Sequence, residues 1–313
     1  MIKDKNEYLA AKTRTQIGNI IFNVINAIVL TFLVVVTVYP FWNTIAISFN
    51  DGLDAVAGGI KLWPRKFTWQ NYKALFTTNQ IYTAFIISVT RTILQAILSV
   101  FCTAMLAYAL SRKEFVIRKP LTSVLVISMY VSAGLIPSYM LIKNLGLLNS
   151  YWVYIIPNLV DVFNFILVRT YINGLPDSFV ESARIDGANE FKIFLSIIFP
   201  LIVPSVAMIC LFVAVGAWNS WFDTYLYASA RPKLYSLQYV LMQFLNSSQN
   251  QSNSAADANA MAVAAAAGSS GAMVTPITLR SSITIIATLP ILVVYPFMQR
   301  YFIVGMTIGG VKE

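Results

Sequence analysis

The sequence predicts an all-α polytopic membrane protein with six transmembrane helices. Its 313 residues are 58% hydrophobic and only 11% charged, and a soluble domain of this size rarely carries so much apolar surface, because only its core could hide it. The apolar residues also lie in long runs, and residues 17–50 contain no charged side chain. A run longer than about 18 apolar residues indicates a helix that can cross a bilayer core.

The composition also excludes several kinds of chemistry. Histidine is absent, which removes Ser-His-Asp, Cys-His and His-metal sites. Cys102 and Cys210 stand alone in apolar runs, without metal-ligand spacing or support for a disulfide. The net charge of +9 would raise nucleic-acid binding in a soluble protein. In a membrane protein we expect it to reflect basic residues at cytoplasmic membrane ends, with no nucleic-acid partner.

Six apolar segments are predicted to span the membrane, between an N-terminal segment at residues 1–16 and a C-terminal tail at 305–313. The second is long for one crossing, so we expect part of it to tilt or to project from the bilayer. The transmembrane domain, residues 17–304, contains spans at about 17–48, 80–110, 121–143, 151–173, 199–222 and 282–304.

The basic residues predict the orientation of these spans. Thirteen Lys and Arg residues flank the spans on the side of the N-terminus, eight lie on the opposite side, and Arg91 lies within a span. Since cytoplasmic flanks carry the excess of Lys and Arg, this bias favours both termini in the cytoplasm.

Two large loops then lie outside, at residues 49–79 and 223–281. The second contains the Ala- and Ser-rich stretch SSQNQSNSAADANAMAVAAAAGSSG. Residues 258–267 have helical propensity, and the flanking Ser, Asn and Gly favour mobile ends. A linker and a docking element for an external partner both remain open for residues 231–271.

A charged segment, ESARIDGANEFKIFLSIIFP, interrupts the apolar pattern between the fourth and fifth spans. Ser178 and Glu181 have the spacing of a capping box, so Ser178 is predicted to cap a short helix over 179–185. Asp186-Gly187 then predicts a turn that ends this helix. The helix has one apolar side, which we assign to Phe179 and Ala183, and one charged side.

A second helix is predicted to begin near Ala188 and to continue as the fifth span. Pro200 and Pro204 interrupt it, and each is predicted to kink it, because proline lacks the backbone N–H of the helical ladder. The loop between the fourth and fifth spans, residues 175–200, is therefore predicted to form a helix, a turn and a second helix.

These residues resemble the EAA motif of bacterial ABC importer permeases, whose pattern is E-A-A-x-x-D-G-A, five variable positions and F-x-x-I-x-L-P. The sequence departs from it mildly, at Ser182 and Phe199. The resemblance implies that the segment is a cytoplasmic coupling helix that docks on an ATPase. The residues implied in coupling are Glu181, Ser182, Ala183, Asp186, Gly187 and Ala188.

Two further segments are similar to maltose-type carbohydrate permeases. The end of the chain, QRYFIVGMTIGGVKE, resembles their C-terminal tail, which implies that Gly309 and Gly310 contact the ATPase subunits. The stretch SAGLIPSYMLIKNLGLLNSYW resembles the branch that imports complex or polysaccharide-derived oligosaccharides.

The resemblance implies a type I ABC importer permease in the bacterial cytoplasmic membrane. Its implied partners are a second permease, an ATPase dimer that uses ATP and Mg, an extracytoplasmic sugar-binding protein and an oligosaccharide. The chain has no G-x-x-x-x-G-K-[ST] phosphate loop, so it is expected to have no catalytic site and to bind no cofactor itself.

Polar residues inside the spans are candidates for the substrate path. Asn158, Asp161 and Asn164 recur every third residue of the fourth span, and Arg91 lies at a similar depth in the second. An Arg91–Asp161 pair would be either structural or part of the path, where Arg91 could meet an acidic sugar. Both interpretations remain open.

The segment GAWNSWFDTYLY places Trp218 and Asn219 near the outer face. Its aromatic rings would either stack on sugars or form an interfacial belt. An ion-coupled secondary transporter that uses Asp161 is the alternative function, and the absence of visible repeated halves weighs against it.

Overall fold

A computed structural model of the chain describes the backbone of residues 2–77, 79–249 and 274–310, and the side chains of 19–77, 79–246 and 274–296. Over these ranges the chain is built from helices and short connections, with an isolated β-bridge between Asn50 and Phe67. The predicted all-α class is confirmed.

The α-helices are numbered in chain order. They are α1 Ile2–Ser48, α2 Gly52–Val56, α3 Gln70–Thr77, α4 Asn79–Ser111, α5 Arg118–Tyr130, α6 Leu135–Asn144, α7 Val162–Asn173, α8 Ser178–Ile185, α9 Glu190–Ile193, α10 Phe199–Leu201, α11 Val203–Asn219, α12 Phe222–Tyr227, α13 Leu237–Gln249 and α14 Pro276–Gly310. Short 3₁₀ turns cover Tyr151–Tyr154, Ile156–Asn158 and Pro232–Leu234, and a π-helical turn covers Phe194–Ile198.

Five of the six predicted spans correspond to helices, or bent pairs of helices, that are long and apolar enough to cross a membrane. Within the described residues three are continuous: Asn19–Ser48, Asn79–Ser111 and Pro276–Pro296. Two are broken: Tyr151–Asn158 with Val162–Asn173, bent by 45°, and Glu190–Leu201 with Val203–Asn219, bent by 82°.

The predicted helix over 121–143 is instead two shorter helices, α5 and α6, so the prediction of one continuous helix is wrong there. Residues 131–134 lie between them without helical structure. Gly134 has a φ of +86°, a conformation that residues with a Cβ rarely adopt. Pro137 follows in the first turn of α6, where its missing N–H is tolerated. Together they end one helix and start the next.

The sharp bend in the fifth span lies at Ile202, between Pro200 and Pro204. Both prolines stand in the first turn of a new helix, Pro200 in α10 and Pro204 in α11. Because a proline cannot donate to the preceding turn, the helical ladder restarts twice within a few residues. The predicted kink is confirmed, and its angle of 82° makes it a break.

The chain divides into two compact units. In the first, Asn71 donates from Nδ2 to the carbonyls of Ser48 and Asn50, each at 2.8 Å, and so closes the connection between α1 and α3. In the same unit Arg65 pairs with Asp54 at 3.0 Å. These contacts order the predicted first outer loop.

The second unit is organised around α4, which packs against α7 and α11. Small side chains on α4 let the backbones approach closely, as in other membrane helix pairs, and Ala104 and Ala107 are fully buried there. Phe165 of α7 and Ile209 of α11 fill the space beside them. This three-helix core positions the two candidate sites.

Candidate functional site

The charged segment folds as the predicted short helix, but its N-terminus differs from the prediction. The helix α8 covers Ser178–Ile185, and its N-cap residue is Asp177, which makes no side-chain capping bond. The Asp177 carboxylate instead accepts a hydrogen bond from Lys113 at 2.7 Å, which lowers the pKa of Asp177. Ser178 is the first helical residue, so the expected capping box is not formed.

The residues Asp186-Gly187-Ala188 end α8 with a tight turn. Gly187 has a φ of +79°, and its N–H bonds the carbonyl of Arg184 while the N–H of Ala188 bonds that of Ala183, both at 3.0 Å. This pattern is a Schellman motif, in which glycine adopts the left-handed conformation at low cost. The next helix begins at Glu190, two residues later than predicted, because Asn189 caps it through the Lys192 N–H at 2.8 Å.

The two sides of α8 also differ from the prediction. Val180 and Ala183 are buried against the core, whereas Phe179, predicted to share the apolar face with Ala183, is 44% exposed. Ile185 is 86% exposed, and Glu181 and Ser182 are exposed beside them. The helix therefore presents two large apolar side chains and a carboxylate outward.

Arg184 ties α8 to two neighbouring elements. Its guanidinium bonds Glu114, in the loop after α4, and Glu190, at the start of α9, the latter at 2.8 Å. Glu190 also accepts a hydrogen bond from the Tyr108 hydroxyl of α4 at 2.7 Å. The hydrogen bond from Arg184 lowers the pKa of Glu114 to about 2. We call these four residues the Arg184 cluster; Glu114 and Glu190 were not identified from the sequence.

The second candidate site is a polar cavity of about 700 Å³ in the same unit. It lies among α4, the broken span 151–173 and the end of α11. The three residues of the predicted polar strip, Asn158, Asp161 and Asn164, all line it. The other polar side chains on its wall are Gln95, Ser99, Ser220 and Asp223.

Asp161 has a structural role in this wall as a helix cap. It is the N-cap of α7, and its Oδ1 accepts a hydrogen bond from the Asn164 N–H at 2.8 Å. A capping carboxylate satisfies a backbone donor that the helix itself leaves free and interacts favourably with the helix dipole. Asn158 donates to the Tyr154 carbonyl at 3.1 Å.

Arg91 pairs with Asp223 and not with Asp161, so the expected Arg91–Asp161 pair is wrong. Arg91 is fully buried, and its Nη1 lies 3.1 Å from Asp223 Oδ2. Its Nη2 donates to the carbonyls of Ala217 and Ser220. These carbonyls lie at the C-terminus of α11, where a helix leaves acceptors without intrahelical partners. Arg91 therefore does not line the cavity, whereas Asp223 does.

The two remaining path candidates lie outside the cavity wall. Trp218 is buried and donates from Nε1 to the Ala287 carbonyl at 2.7 Å. Asn219 is the last residue of α11 and is exposed. Gly309 and Gly310 end α14, and what surrounds them lies outside the described side chains. Residues 250–273 of the predicted outer loop also fall outside the described ranges.

The fold and the two sites together define a class: a helical membrane subunit with a polar cavity among its spans and a short tethered helix after the fourth. Residues 121–308 match the family of binding-protein-dependent transport system inner membrane components, and the chain belongs to that family. The resemblance given by the EAA-like segment is confirmed, and the fold is that of a type I ABC importer permease.

The chain is also similar to individual family members. It is 34% identical to the polygalacturonan/rhamnogalacturonan transport system permease protein YtcP of Bacillus subtilis (strain 168), over 88% of this chain and 93% of that protein. It is 35% identical to Protein LplC of the same strain, over 93% and 95%. A chain of a bacterial ABC transporter involved in the import of the acidic polysaccharide alginate matches with a TM-score of 0.78 and 25% identity, covering 90% of this chain and 96% of that chain.

Proposed function

We propose that the chain is a permease subunit of an ATP-driven importer and forms, with a second permease, the path of an oligosaccharide. An extracytoplasmic solute-binding protein delivers the sugar, and both termini lie in the cytoplasm. One observation carries the proposal: α4 contributes both to the polar cavity, through Gln95 and Ser99, and to the Arg184 cluster, through Tyr108.

In this proposal α8 is the element that receives the motion of the ATPase. Its exposed side offers Phe179 and Ile185 as apolar contacts and Glu181 as a polar one. Large apolar side chains that protrude from a short helix suit a cleft on a partner. Gly309 and Gly310 would contact the same ATPase subunits at the end of α14. The ATPase dimer uses ATP and Mg; this chain takes no part in the hydrolysis.

The Arg184 cluster passes the motion into the spans. Arg184 joins α8 to the start of α9 and to the loop after α4, so a displacement of α8 displaces all three. About nine residues of α4 separate Tyr108 from Ser99, which is roughly 14 Å along a helix. ATP binding then biases a two-state arrangement of the spans, and the cavity opens alternately outward and inward.

The cavity wall favours hydroxyl groups over carboxylates. Its amides donate and accept hydrogen bonds and its carboxylates accept them, as sugar hydroxyls require, and Phe163 and Phe212 add apolar surface. None of the described residues that line it is cationic. Arg91 is fully buried and paired with Asp223, so it is not available to an acidic sugar as the sequence suggested. We therefore propose a neutral oligosaccharide for this wall; a uronate would need its cation from the second permease.

The test is the ATPase activity of the purified assembly with its binding protein. We expect a neutral oligosaccharide to stimulate wild-type hydrolysis, and Glu181→Ala and Arg184→Gln to lose that stimulation while the subunits still assemble. Lys119→Gln is the matched control, because Lys119 is an exposed cation of the same loop region and lies outside the Arg184 cluster.

Two results would contradict the proposal. If no ATPase subunit associates with the chain, the importer proposal is wrong, and the ion-coupled transporter is the alternative. If uronate oligosaccharides stimulate as well as neutral ones, and Asp161→Asn changes neither, the assignment of a neutral sugar fails while the importer stands.

A further inference from the structure

A basic pocket lies where α4 ends, α5 begins and α7 ends, on the side of the molecule that carries α8. It has a volume of about 320 Å³. Its charged lining residues are Arg112, Lys113, Arg118, Arg169 and Asp177. We propose that it binds the phosphate of an anionic phospholipid headgroup, and we call it the arginine pocket.

One of its cations is neutralised within the chain. Lys113 donates to Asp177 at 2.7 Å, and this hydrogen bond raises the pKa of Lys113 and lowers that of Asp177. The neighbouring carboxylate of Glu114 is held by Arg184. Three guanidinium groups therefore remain around the pocket without a carboxylate partner in the described part of the chain.

The contacts of these arginines hold them in place without neutralising them. Arg112 donates from Nε to the Ser111 hydroxyl at 3.2 Å and lies over the ring of Tyr108, 5.0 Å from its centre. Arg169 donates from Nε to the Leu110 carbonyl at 3.2 Å. In both side chains the two Nη groups have no hydrogen-bond partner among the described residues and remain available to another acceptor.

Three arginines that line one pocket of about 320 Å³ repel one another unless an anion lies between them. Like charges a few ångströms apart destabilise a fold, and the effect is larger where water is partly excluded. The planar fork of Arg matches the oxygens of a phosphate, which accepts two parallel hydrogen bonds. Because the arginines come from three separate elements, a single phosphate would bind all of these elements together.

The position favours a phospholipid as the source of that phosphate. The pocket lies at the ends of α4 and α7, which are membrane-spanning segments, and so at the depth of the headgroups. Ile172 and Leu175 add apolar surface to its wall, and Val116 and Ile117 of the adjoining loop are exposed. Basic pockets at the cytoplasmic ends of spans are suited to anionic headgroups. Free phosphate offers the same chemistry, and the experiment separates the two.

The experiment uses the purified full-length chain in neutral detergent, mixed with phosphatidylglycerol, with phosphatidylcholine or with inorganic phosphate. Retained lipid is counted by native mass spectrometry. We expect retention of phosphatidylglycerol to exceed that of phosphatidylcholine about tenfold, and Arg118→Gln to remove this preference. Arg118 is the decisive position, since no side-chain hydrogen bond of Arg118 within the described residues would be lost.

The control is Lys119→Gln, which removes one positive charge beside the pocket without touching its lining. It should keep the preference within about twofold. Equal loss in both variants would mean a general surface-charge effect and would overturn the proposal. Displacement of the lipid by millimolar inorganic phosphate would assign the pocket to free anions and overturn the lipid source. Neither readout needs sugar or ATPase, so the test is independent of the proposed transport function.

Discussion

Arg91 offers the sharpest test of the packing described above. Its side chain is almost fully buried, the Asp223 side chain is 18% exposed, and their link joins α4 to α12, the short helix that follows α11. Arg91→Met leaves the Asp223 carboxylate without its cation and removes the donor to the Ala217 carbonyl, whereas the Ser220 carbonyl keeps a longer bond, 3.4 Å, from the Ser236 hydroxyl. Removing one partner of a buried ion pair costs about 3–5 kcal/mol. Because Asp223 still reaches the cavity water, we expect the lower half of that range.

Two companion variants separate charge from hydrogen bonding. Arg91→Lys keeps the cation, but one ammonium cannot reach three acceptors in the geometry of a guanidinium, so its cost should be intermediate. The double variant Arg91→Met with Asp223→Asn removes the uncompensated carboxylate. It should be less destabilised than the sum of the single variants, by about 0.5–3 kcal/mol.

The free energy of unfolding can be followed by SDS titration of the purified chain with far-UV circular dichroism. Thr90→Ala is the matched control, because Thr90 is the exposed neighbour of Arg91 on α4 and bonds its own helix at 2.8 Å. A cost below about 1 kcal/mol for Arg91→Met would refute the reasoning, since a buried ion pair cannot be lost so cheaply. If variants of Arg91 couple energetically to variants of Asp161 and not to those of Asp223, the Arg91–Asp161 pair that the sequence suggested is the correct one.

Three further predictions concern single residues. Asp161→Ala should destabilise the chain by about 1 kcal/mol through the lost cap of α7, whereas Asp161→Asn keeps a capping oxygen and should cost only a few tenths; the same SDS titration compares them. Gly187→Ala should cost about 1–2 kcal/mol from its left-handed backbone alone, because a Cβ there meets nothing within 4 Å; a cost near zero would show that the turn relaxes. The lowered pKa of Glu114, about 2 against an ordinary 4.5, means that its contribution to stability is present above about pH 4.5 and is lost as the pH falls toward 2; the difference between wild type and Glu114→Gln should shrink over that window, and a constant difference would contradict it.

Local signals in the sequence were sufficient for the existence of α8 and for the turn that ends it, but not for its N-cap or its buried face. The turn at Asp186-Gly187 follows from a dipeptide whose backbone preference is strong, and the bend in the fifth span follows from Pro200 and Pro204. The capping box failed for an equally local reason. Asp177, one residue earlier, occupies the N-cap position, and its carboxylate is engaged by Lys113 from another loop.

Ion pairs between residues that are far apart in the sequence could not be predicted from local signals. Arg91 and Asp223 are separated by 132 residues, and Arg184 and Glu114 by 70, so no periodicity within one helix relates them. Similar depth made Asp161 a reasonable partner for Arg91. The fourth span is broken just before α7, and Asp161 caps α7 instead of pairing with Arg91. Only the fold, which brings α12 beside α4 after the end of α11, reveals Asp223 as the partner.

The length of α4 gives a physical reason for its place in the proposed mechanism. Its 33 residues extend about 50 Å, whereas a bilayer core is about 30 Å thick. Tilt absorbs part of this excess, and the rest carries the C-terminal end of the helix toward α8 and α9, where Tyr108 donates a hydrogen bond to Glu190. A helix only as long as the bilayer core is thick would end at the edge of the hydrocarbon and would need a flexible loop to reach the Arg184 cluster. Because α4 continues without a break from the cavity wall to this cluster, the proposed movement needs no flexible joint between the two.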